Sequence, residues 1–314
     1  MNPTLQGYAS AVFEAVAPGE LAALAGELRS IEQLVVATPA LRAALTDTAV
    51  SGASRQAIMR DILEGKVSAP ARQASSFAVS AVAAPDVAGA LDWLTLRAHR
   101  LAEGIVEPEL PLSLMRARER VGGYAQALFE PMTTGELENM EDELFRFARV
   151  IASTPALRRA LVDRDLSVEA RQGLVSQLLE GKVQDRTLSL VRYVIAGGRA
   201  RDIVGTLDWL VEQTAAARGW RIARVRAAAP VEDAQRRGLT ETLASLAGSP
   251  VELQVVIDPT LLSGAVIEIG DLQVDATARG RLNALREHLV PGGWDEKLSG
   301  GADRPRGTTT EGAV

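Results

Sequence analysis

Hydrophobic residues recur at intervals of three and four positions along most of the chain up to residue 218. The first such stripe consists of Leu5, Tyr8, Ala9, Val12, Phe13 and Val16. Residues at this spacing share one face of an amphipathic helix. Thr38-Pro39 then predicts the start of a further helix, since threonine is a favoured N-cap and proline suits the first turn. Gly65 can end another helix in a left-handed conformation. The pattern predicts about six helices before residue 104.

The helical part of the sequence is duplicated. Gly7-Tyr8-Ala9 recurs as Gly123-Tyr124-Ala125, and Leu91-Asp92-Trp93-Leu94 recurs as Leu207-Asp208-Trp209-Leu210. Both matches are separated by the same 116 residues (124 − 8 and 209 − 93), so no gap opens between them. A repeat of this size is a whole domain copied once, not a short solenoid unit.

The hydrophobic pattern changes to strict alternation in the last third of the chain. Within residues 251–257, valine, leucine and isoleucine alternate with Glu252 and Gln254, as in a half-buried strand. Further strands are predicted at 221–228 and 265–269, with a helix at 231–246 between the first two strands. Gly270-Asp271 would form a tight hairpin, and leucines at helical spacing follow up to Leu289.

The patterns together predict a mainly α fold, with two tandem six-helix bundles followed by a small α+β domain. The predicted organisation is bundle copy one at 1–104, a linker at 105–120, bundle copy two at 121–218, an α+β domain at 219–290 and a disordered tail at 291–314.

Composition excludes several classes of function. The net charge of −6 disfavours nucleic-acid binding, which depends on neutralising phosphates. The absence of cysteine excludes disulfides and thiolate chemistry. His99 and His288 have no metal-ligand partner in spacing, and the sequence contains no P-loop or nucleophile elbow. We therefore expect no cofactor, no metal and no catalysis by this chain. The start lacks a signal peptide, and no apolar run could span a bilayer, so membrane contact would come only through partners.

The alternating region contains a motif with a strand, an acidic residue and then small-Gly-apolar-x-apolar-polar-x-Gly. Its residues are Leu253, Ile257, Asp258, Leu261, Ser263, Gly264, Ala265, Ile267, Glu268 and Gly270. This motif resembles the signature of the δ subunit of bacterial F-type ATP synthase, the oligomycin-sensitivity-conferring protein family. Asp275 and the run Arg279-Gly280-Arg281-Leu282 also fit the family pattern.

The helical copies resemble the family's amino-terminal six-helix domain, but not equally. Copy two keeps the family's Gly198-Arg199 and the Ala217-Arg218-Gly219 that ends the last long helix. Copy one has Ala84-Pro85-Asp86 and Ala102-Glu103-Gly104 instead. The family usually has one such bundle, so the duplication departs from its common pattern.

The resemblance implies a non-catalytic stator subunit at the cytoplasmic face of the cell membrane, which resists torque so that proton flow drives ATP synthesis. Its partners would be the α subunits of the catalytic head and the b subunits of the peripheral stalk, without nucleic acid. Copy two would bind the head through its first and fifth helices. The head-interface candidates are Tyr124, Leu128, Leu188, Arg192 and Tyr193. The stalk-interface or signature candidates are Asp258, Gly264, Gly270, Asp271, Asp275, Arg279, Arg281 and Leu282.

Two questions stay open at this point. Copy one could lengthen the stator, bind a fused or extended b subunit, or brace a second site on the head. A rival function is a helical RNA-binding or transcription-elongation factor, for which Arg221, Arg224 and Arg226 would supply a local basic patch.

The acidic residues within 136–143 are expected to form a solvated face at a helix start, where the helix dipole favours negative charge.

Overall fold

A computed structural model describes residues 2–105, 113–163, 165–196, 202–261, 263–269, 272–275 and 277. The chain divides between Trp220 and Arg221 into two compact units. We call them the helical unit and the sheet unit, and describe each by itself.

The helical unit contains both copies of the repeat. Copy one has helices α1 (Pro3–Glu14), α2 (Leu21–Ala37), α3 (Pro39–Thr46), α4 (Gly52–Leu63), α5 (Ala69–Ala81) and α6 (Val87–Ala102). Copy two has α7 (Leu114–Phe129), α8 (Thr134–Ser153), α9 (Pro155–Val162), α10 (Val168–Leu179), α11 (Asp185–Ala196) and α12 (Ile203–Ala217). The predicted pair of six-helix bundles is thus present, and the mainly α fold class is confirmed.

Short polar residues start many of these helices. Ser51, Ser68 and Ser167 accept hydrogen bonds from backbone N–H groups in the first turn of α4, α5 and α10. Thr133 and Glu136 form a reciprocal capping box on α8. Thr38 occupies the predicted N-cap position of α3, but its side chain makes no capping hydrogen bond.

Helix α7 begins within the segment that the sequence assigns to the linker. It starts at Leu114, whereas the predicted linker extends to residue 120. Pro108 and Pro111 suggested a long break, but the arginine-rich residues after Ser113 are good helix formers. Ala117 and Arg120 in this first part of α7 are 3% and 4% exposed, so burial also favours the helix there.

The two copies pack against each other through their first helices, α1 and α7. A Cβ added to Gly7 would lie 1.8 Å from the backbone oxygen of Arg120, and one added to Gly123 would lie 1.9 Å from that of Thr4. These two contacts are equivalent under the repeat, because each residue of copy two lies 116 positions after its counterpart. The copies therefore form a pseudo-two-fold pair, like the self-complementary interface of a homodimer.

The sheet unit is a small α+β fold. Its elements are β1 (Arg221–Ala227), α13 (Asp233–Ala247), β2 (Val251–Ile257), β3 (Ala265–Ile269) and β4 (Leu272–Asp275). The strand order is β2-β1-β3-β4. Strands β1 and β2 are parallel, which requires the crossover that α13 supplies. Strand β3 pairs antiparallel with both β1 and β4.

One face of the sheet carries the core of this unit. Ala223, Val225, Leu253 and Ile267 pack there with Leu243 of α13. The alternation in residues 251–257 places Val251 and Leu253 in this core. The predicted closing helix and tail lie outside the described residues.

Candidate functional site

Tyr124 and Tyr193, the two aromatic head-interface candidates, stack on each other inside the helical unit. Their ring centroids are 3.9 Å apart with an interplanar angle of 13°. Their exposed fractions are 1% and 8%. The Tyr124 hydroxyl donates a hydrogen bond of 2.7 Å to Glu14 Oε2, at the end of α1 in copy one. Copy one therefore covers part of the surface that the resemblance assigns to the head.

Copy one repeats this arrangement. Tyr8 stacks on Phe77 with ring centroids 3.7 Å apart, and its hydroxyl donates a hydrogen bond of 2.6 Å to Glu130 Oε2 in copy two. Burial raises the pKa of both tyrosines well above the usual value, and the neighbouring carboxylates Glu14 and Glu130 raise it further. Sequence reasoning missed these glutamates, although their spacing of 116 residues (130 − 14) marks them as repeat equivalents.

The other three head-interface candidates lie on the same two helices as the buried tyrosines and are at least partly accessible. Leu128 lies one turn after Tyr124 on α7 and is partly exposed. Leu188 on α11 is partly exposed, and Arg192 one turn later is exposed. We call Leu128, Leu188 and Arg192 the copy-two strip. It comprises two partly exposed apolar side chains and an exposed cation on the two helices that carry Tyr124 and Tyr193.

The equivalent positions of copy one have a different chemistry. They are Val12, Arg72 and Ser76, of which Val12 and Ser76 are buried. A cavity of about 410 Å³ lies here, and its lining is mostly polar: Gln56, Arg60, Ala69, Arg72, Gln73, Ser76, Glu130 and Pro131. The two copies therefore do not offer the same surface, and the apolar strip belongs to copy two.

A groove in copy two lies between α8 and the end of α10. Its volume is about 330 Å³, and its lining consists of Glu143, Arg146, Phe147, Val150, Leu178, Leu179, Lys182 and Val183. Val150 is 49% exposed. Glu143 links α8 to the start of α11 beside this groove, since it accepts hydrogen bonds from the backbone N–H of Gln184 and the hydroxyl of Thr187.

The prediction of a solvated acidic face at residues 136–143 is wrong for one of its members. Glu138 and Asp142 have side chains 64% and 61% exposed. The Glu141 side chain is only 3% exposed and forms an ion pair with Arg218. The expectation rested on the position of these residues near the start of α8. That position does not indicate which of them lie on the side of α8 that packs against α12, as Glu141 does.

In the sheet unit, the signature carboxylate Asp258 organises the turn after β2. Its Oδ1 accepts hydrogen bonds from the hydroxyl of Thr260 at 2.6 Å and from the Thr260 backbone N–H at 3.0 Å. These two bonds lower the pKa of Asp258. Asp275 at the end of β4 makes the same pair of bonds to Thr277, which lower its pKa as well.

Gly264 is the third signature candidate that the structure describes, and it has a positive φ of 84° before β3. Residues with a side chain rarely adopt this conformation, so the backbone at this position favours glycine over other residues. Gly270, Asp271, Arg279, Arg281 and Leu282 lie outside the described residues.

The signature residues also border a cavity of the sheet unit. The cavity has a volume of about 740 Å³, and it is lined by Val225, Ala227, Ala228, Ala229, Pro230, Val231, Glu232, Gln235, Leu239, Leu261, Ser263, Gly264, Ala265 and Ile267. Most of these side chains are apolar. The motif after β2 therefore forms one wall of a concave apolar surface, which suits recognition of an apolar partner segment.

The basic patch of the rival hypothesis is locally compensated. Arg226 lies 3.7 Å from the carboxylate of Asp258, and Arg224 lies opposite Glu268 in the register of β1 and β3.

The described residues contain no group of histidine and carboxylate side chains that could hold a metal ion. Within that same part of the chain, no helix is long and apolar enough to cross a membrane. His99 lies 3.3 Å from Glu103 one turn away on α6, which is a surface contact and not a site.

Comparisons with known proteins show the family that this chain resembles. The family model "ATP synthase delta (OSCP) subunit" matches residues 5–79 and 121–289. The ATP synthase subunit delta of Salinispora arenicola is 36% identical over 273 residues, which cover 87% of this chain and 90% of that protein. The corresponding subunit of Rhodococcus opacus is 31% identical, with 91% and 93% covered. That of Nocardia farcinica is 34% identical, with 80% and 83% covered. Each of these three alignments covers at least 80% of both proteins.

Proposed function

This chain belongs to the ATP synthase delta (OSCP) subunit family, and we propose how its parts carry out the role of that subunit. It is a non-catalytic stator subunit of ATP synthase. A stator resists the torque of the rotating shaft, so that proton flow drives ATP synthesis. The observation that carries this function is the family match, which covers copy one up to residue 79 and continues from residue 121 through copy two and the described sheet unit. The RNA-binding alternative has no support from the relatives.

The head contact is proposed to lie on the copy-two strip. Leu128 and Leu188 offer apolar area to an amphipathic helix of an α subunit, and Arg192 offers a cation at the edge of that area. Tyr124 and Tyr193 would act from beneath, since their stacked rings hold α7 and α11 together. Copy one has Arg72 at the position of Leu188, which supports copy two as the copy that binds the head.

The stalk contact is proposed to lie on the sheet unit. The cavity beside Leu261, Ser263 and Gly264 is concave and mostly apolar, so it suits the end of an amphipathic b-subunit helix. The signature turn would then serve to shape this wall, with Asp258 holding the backbone after β2 through its two bonds to Thr260.

Copy one is proposed to brace copy two. The reciprocal contacts of Tyr8 with Glu130 and of Tyr124 with Glu14 join the two bundles on both sides of the crossing of α1 and α7. A braced bundle deforms less under a lateral load, which suits a stator at the cytoplasmic face of the membrane.

Co-purification from detergent-solubilised membranes tests both contacts. The variant Leu188→Asp should lose the α subunits and keep the b subunits, and Arg72→Asp at the equivalent position of copy one is its matched control. Ser263→Trp would fill the cavity of the sheet unit and should lose b while keeping α. Thr242→Trp, on the exposed side of α13, controls for the added ring. Retention of both partners by Leu188→Asp would refute the strip as the head contact, and salt-sensitive RNA binding would favour the rival function.

A further inference from the structure

A buried ion pair holds the last turn of the helical unit. Arg218, directly after α12, pairs with Glu141 of α8, and their side chains are 2% and 3% exposed. The same guanidinium lies 3.9 Å from Glu138, and its central carbon lies 5.4 Å from the ring centroid of Trp220. Arg218 therefore joins α8 to the three residues that lead into the sheet unit.

A second ion pair links the same two helices at another level. Arg149 of α8 pairs with Asp208 of α12, and these side chains are 33% and 15% exposed. Arg149 also lies over the ring of Phe145, 5.2 Å from its centroid. The pairs are about two turns apart along α8, so they restrain α12 against sliding as well as against lifting.

Copy one shows that the bundle does not need these ion pairs in order to fold. Ala25 and Ala102 occupy the positions of Glu141 and Arg218, so both members of the buried pair are replaced together. Gln33 occupies the position of Arg149. Helices α2 and α6 nevertheless pack as α8 and α12 do. This agrees with the general finding that apolar residues can replace a buried ion pair without loss of stability.

The last helices of the two copies lead into different parts of the chain. Helix α12 is followed within four residues by β1 at Arg221, so residues 218–220 form the covalent connection between the units. Apolar packing is non-directional, whereas a hydrogen-bonded ion pair fixes both distance and orientation. We propose that Glu141 and Arg218 are positioning residues of the stator, which hold residues 218–220 rigid so that load passes from copy two to the sheet unit.

This inference rests on the stator role, but its first test needs only the full-length chain. The amides of Arg218 and Trp220 donate to the backbone oxygen of Ala215, and their hydrogen exchange reports opening of this turn. In Glu141→Ala/Arg218→Ala, which has the residues of copy one, exchange should be roughly tenfold faster or more while far-UV circular dichroism is unchanged. The exposed pair Asp142–Arg146 on the same helix supplies the control, because its double alanine variant should leave these amides unaffected.

The second test uses the assembled enzyme in inverted membrane vesicles. The double alanine variant should still co-purify with α and b, yet pump fewer protons for each ATP hydrolysed than the parent. The swapped pair Glu141→Arg/Arg218→Glu should recover part of this loss, which a purely apolar packing role would not predict. Unchanged exchange at residues 218–220, or unchanged pumping with faster exchange, would overturn the inference. Loss of α or b from the variant complex would also overturn it, because the pair would then determine assembly and not rigidity.

Discussion

The close crossing of α1 and α7 predicts that alanine in place of Gly7 destabilises the chain, whereas alanine in place of the exposed Gly26 stabilises it. Gly7 lies where a Cβ would be 1.8 Å from the backbone oxygen of Arg120. An ordinary contact between carbon and a carbonyl oxygen is about 3.3 Å or longer. Gly7→Ala must therefore separate the two helices by about 1.5 Å at this point, since a backbone oxygen cannot rotate away as a side chain can.

The expected cost follows from the contacts that this separation disturbs. A gap of 0.5–1 Å already forfeits roughly a quarter to a half of a dispersion contact, and overpacked cores typically lose about 1–3 kcal/mol or more. The bonds of Tyr8 to Glu130 and of Tyr124 to Glu14 span the same crossing, and their weakening adds about 1 kcal/mol each. Helix propensity returns up to about 1 kcal/mol to alanine. We expect Gly7→Ala to lower the free energy of unfolding by roughly 3 kcal/mol.

Urea unfolding of the full-length chain, followed by far-UV circular dichroism, measures this loss. Gly26→Ala in α2 is the matched control, because nothing lies within 4 Å of its added Cβ, and it should stabilise the chain by up to about 1 kcal/mol. Gly123→Ala should resemble Gly7→Ala. The double variant should cost less than the sum, since one separation relieves both clashes. Equal effects of Gly7→Ala and Gly26→Ala would refute the close crossing.

Three further predictions concern single side chains. Tyr8→Phe and Tyr124→Phe should each lower the free energy of unfolding by about 1 kcal/mol. Because the pKa of both phenols is raised in the folded state, the parent should lose stability relative to the variants as the pH rises above about 10. Urea unfolding midpoints at pH 9 and pH 11 measure this difference. The pKa values of Asp258 and Asp275 are lowered in the folded state, so the stability that these carboxylates contribute is present above about pH 4 and lost as the pH falls further. Replacing both residues by asparagine should therefore reduce the change of the unfolding midpoint between about pH 5 and pH 3. Arg55 is 5% exposed and donates hydrogen bonds to three backbone oxygens. Arg55→Lys should lower the free energy of unfolding, measured by thermal unfolding, by about 2 kcal/mol, because a single ammonium cannot reach all three acceptors.

Local patterns predicted most of the fold. Helical spacing and the shift to alternation identified both bundles and the strands, because burial of one face imposes a period on the sequence whatever the partner. The duplication was visible for the same reason, since each copy must build the same core. The signature after β2 identified the family, and Asp258 and Gly264 in it meet local turn requirements that act within a few residues.

Periodicity, repetition and motif were therefore enough to predict the elements, the duplication and the family, whereas the burial of individual side chains depends on how the helices pack. Tyr124 and Leu128 have the same helical periodicity, yet one is buried against copy one and the other is accessible. Glu141 looks like its acidic neighbours until α12 brings Arg218 to it. Contacts between residues tens of positions apart leave no periodic trace in the sequence. They depend on how the helices pack, and packing is settled by the shape of the whole unit.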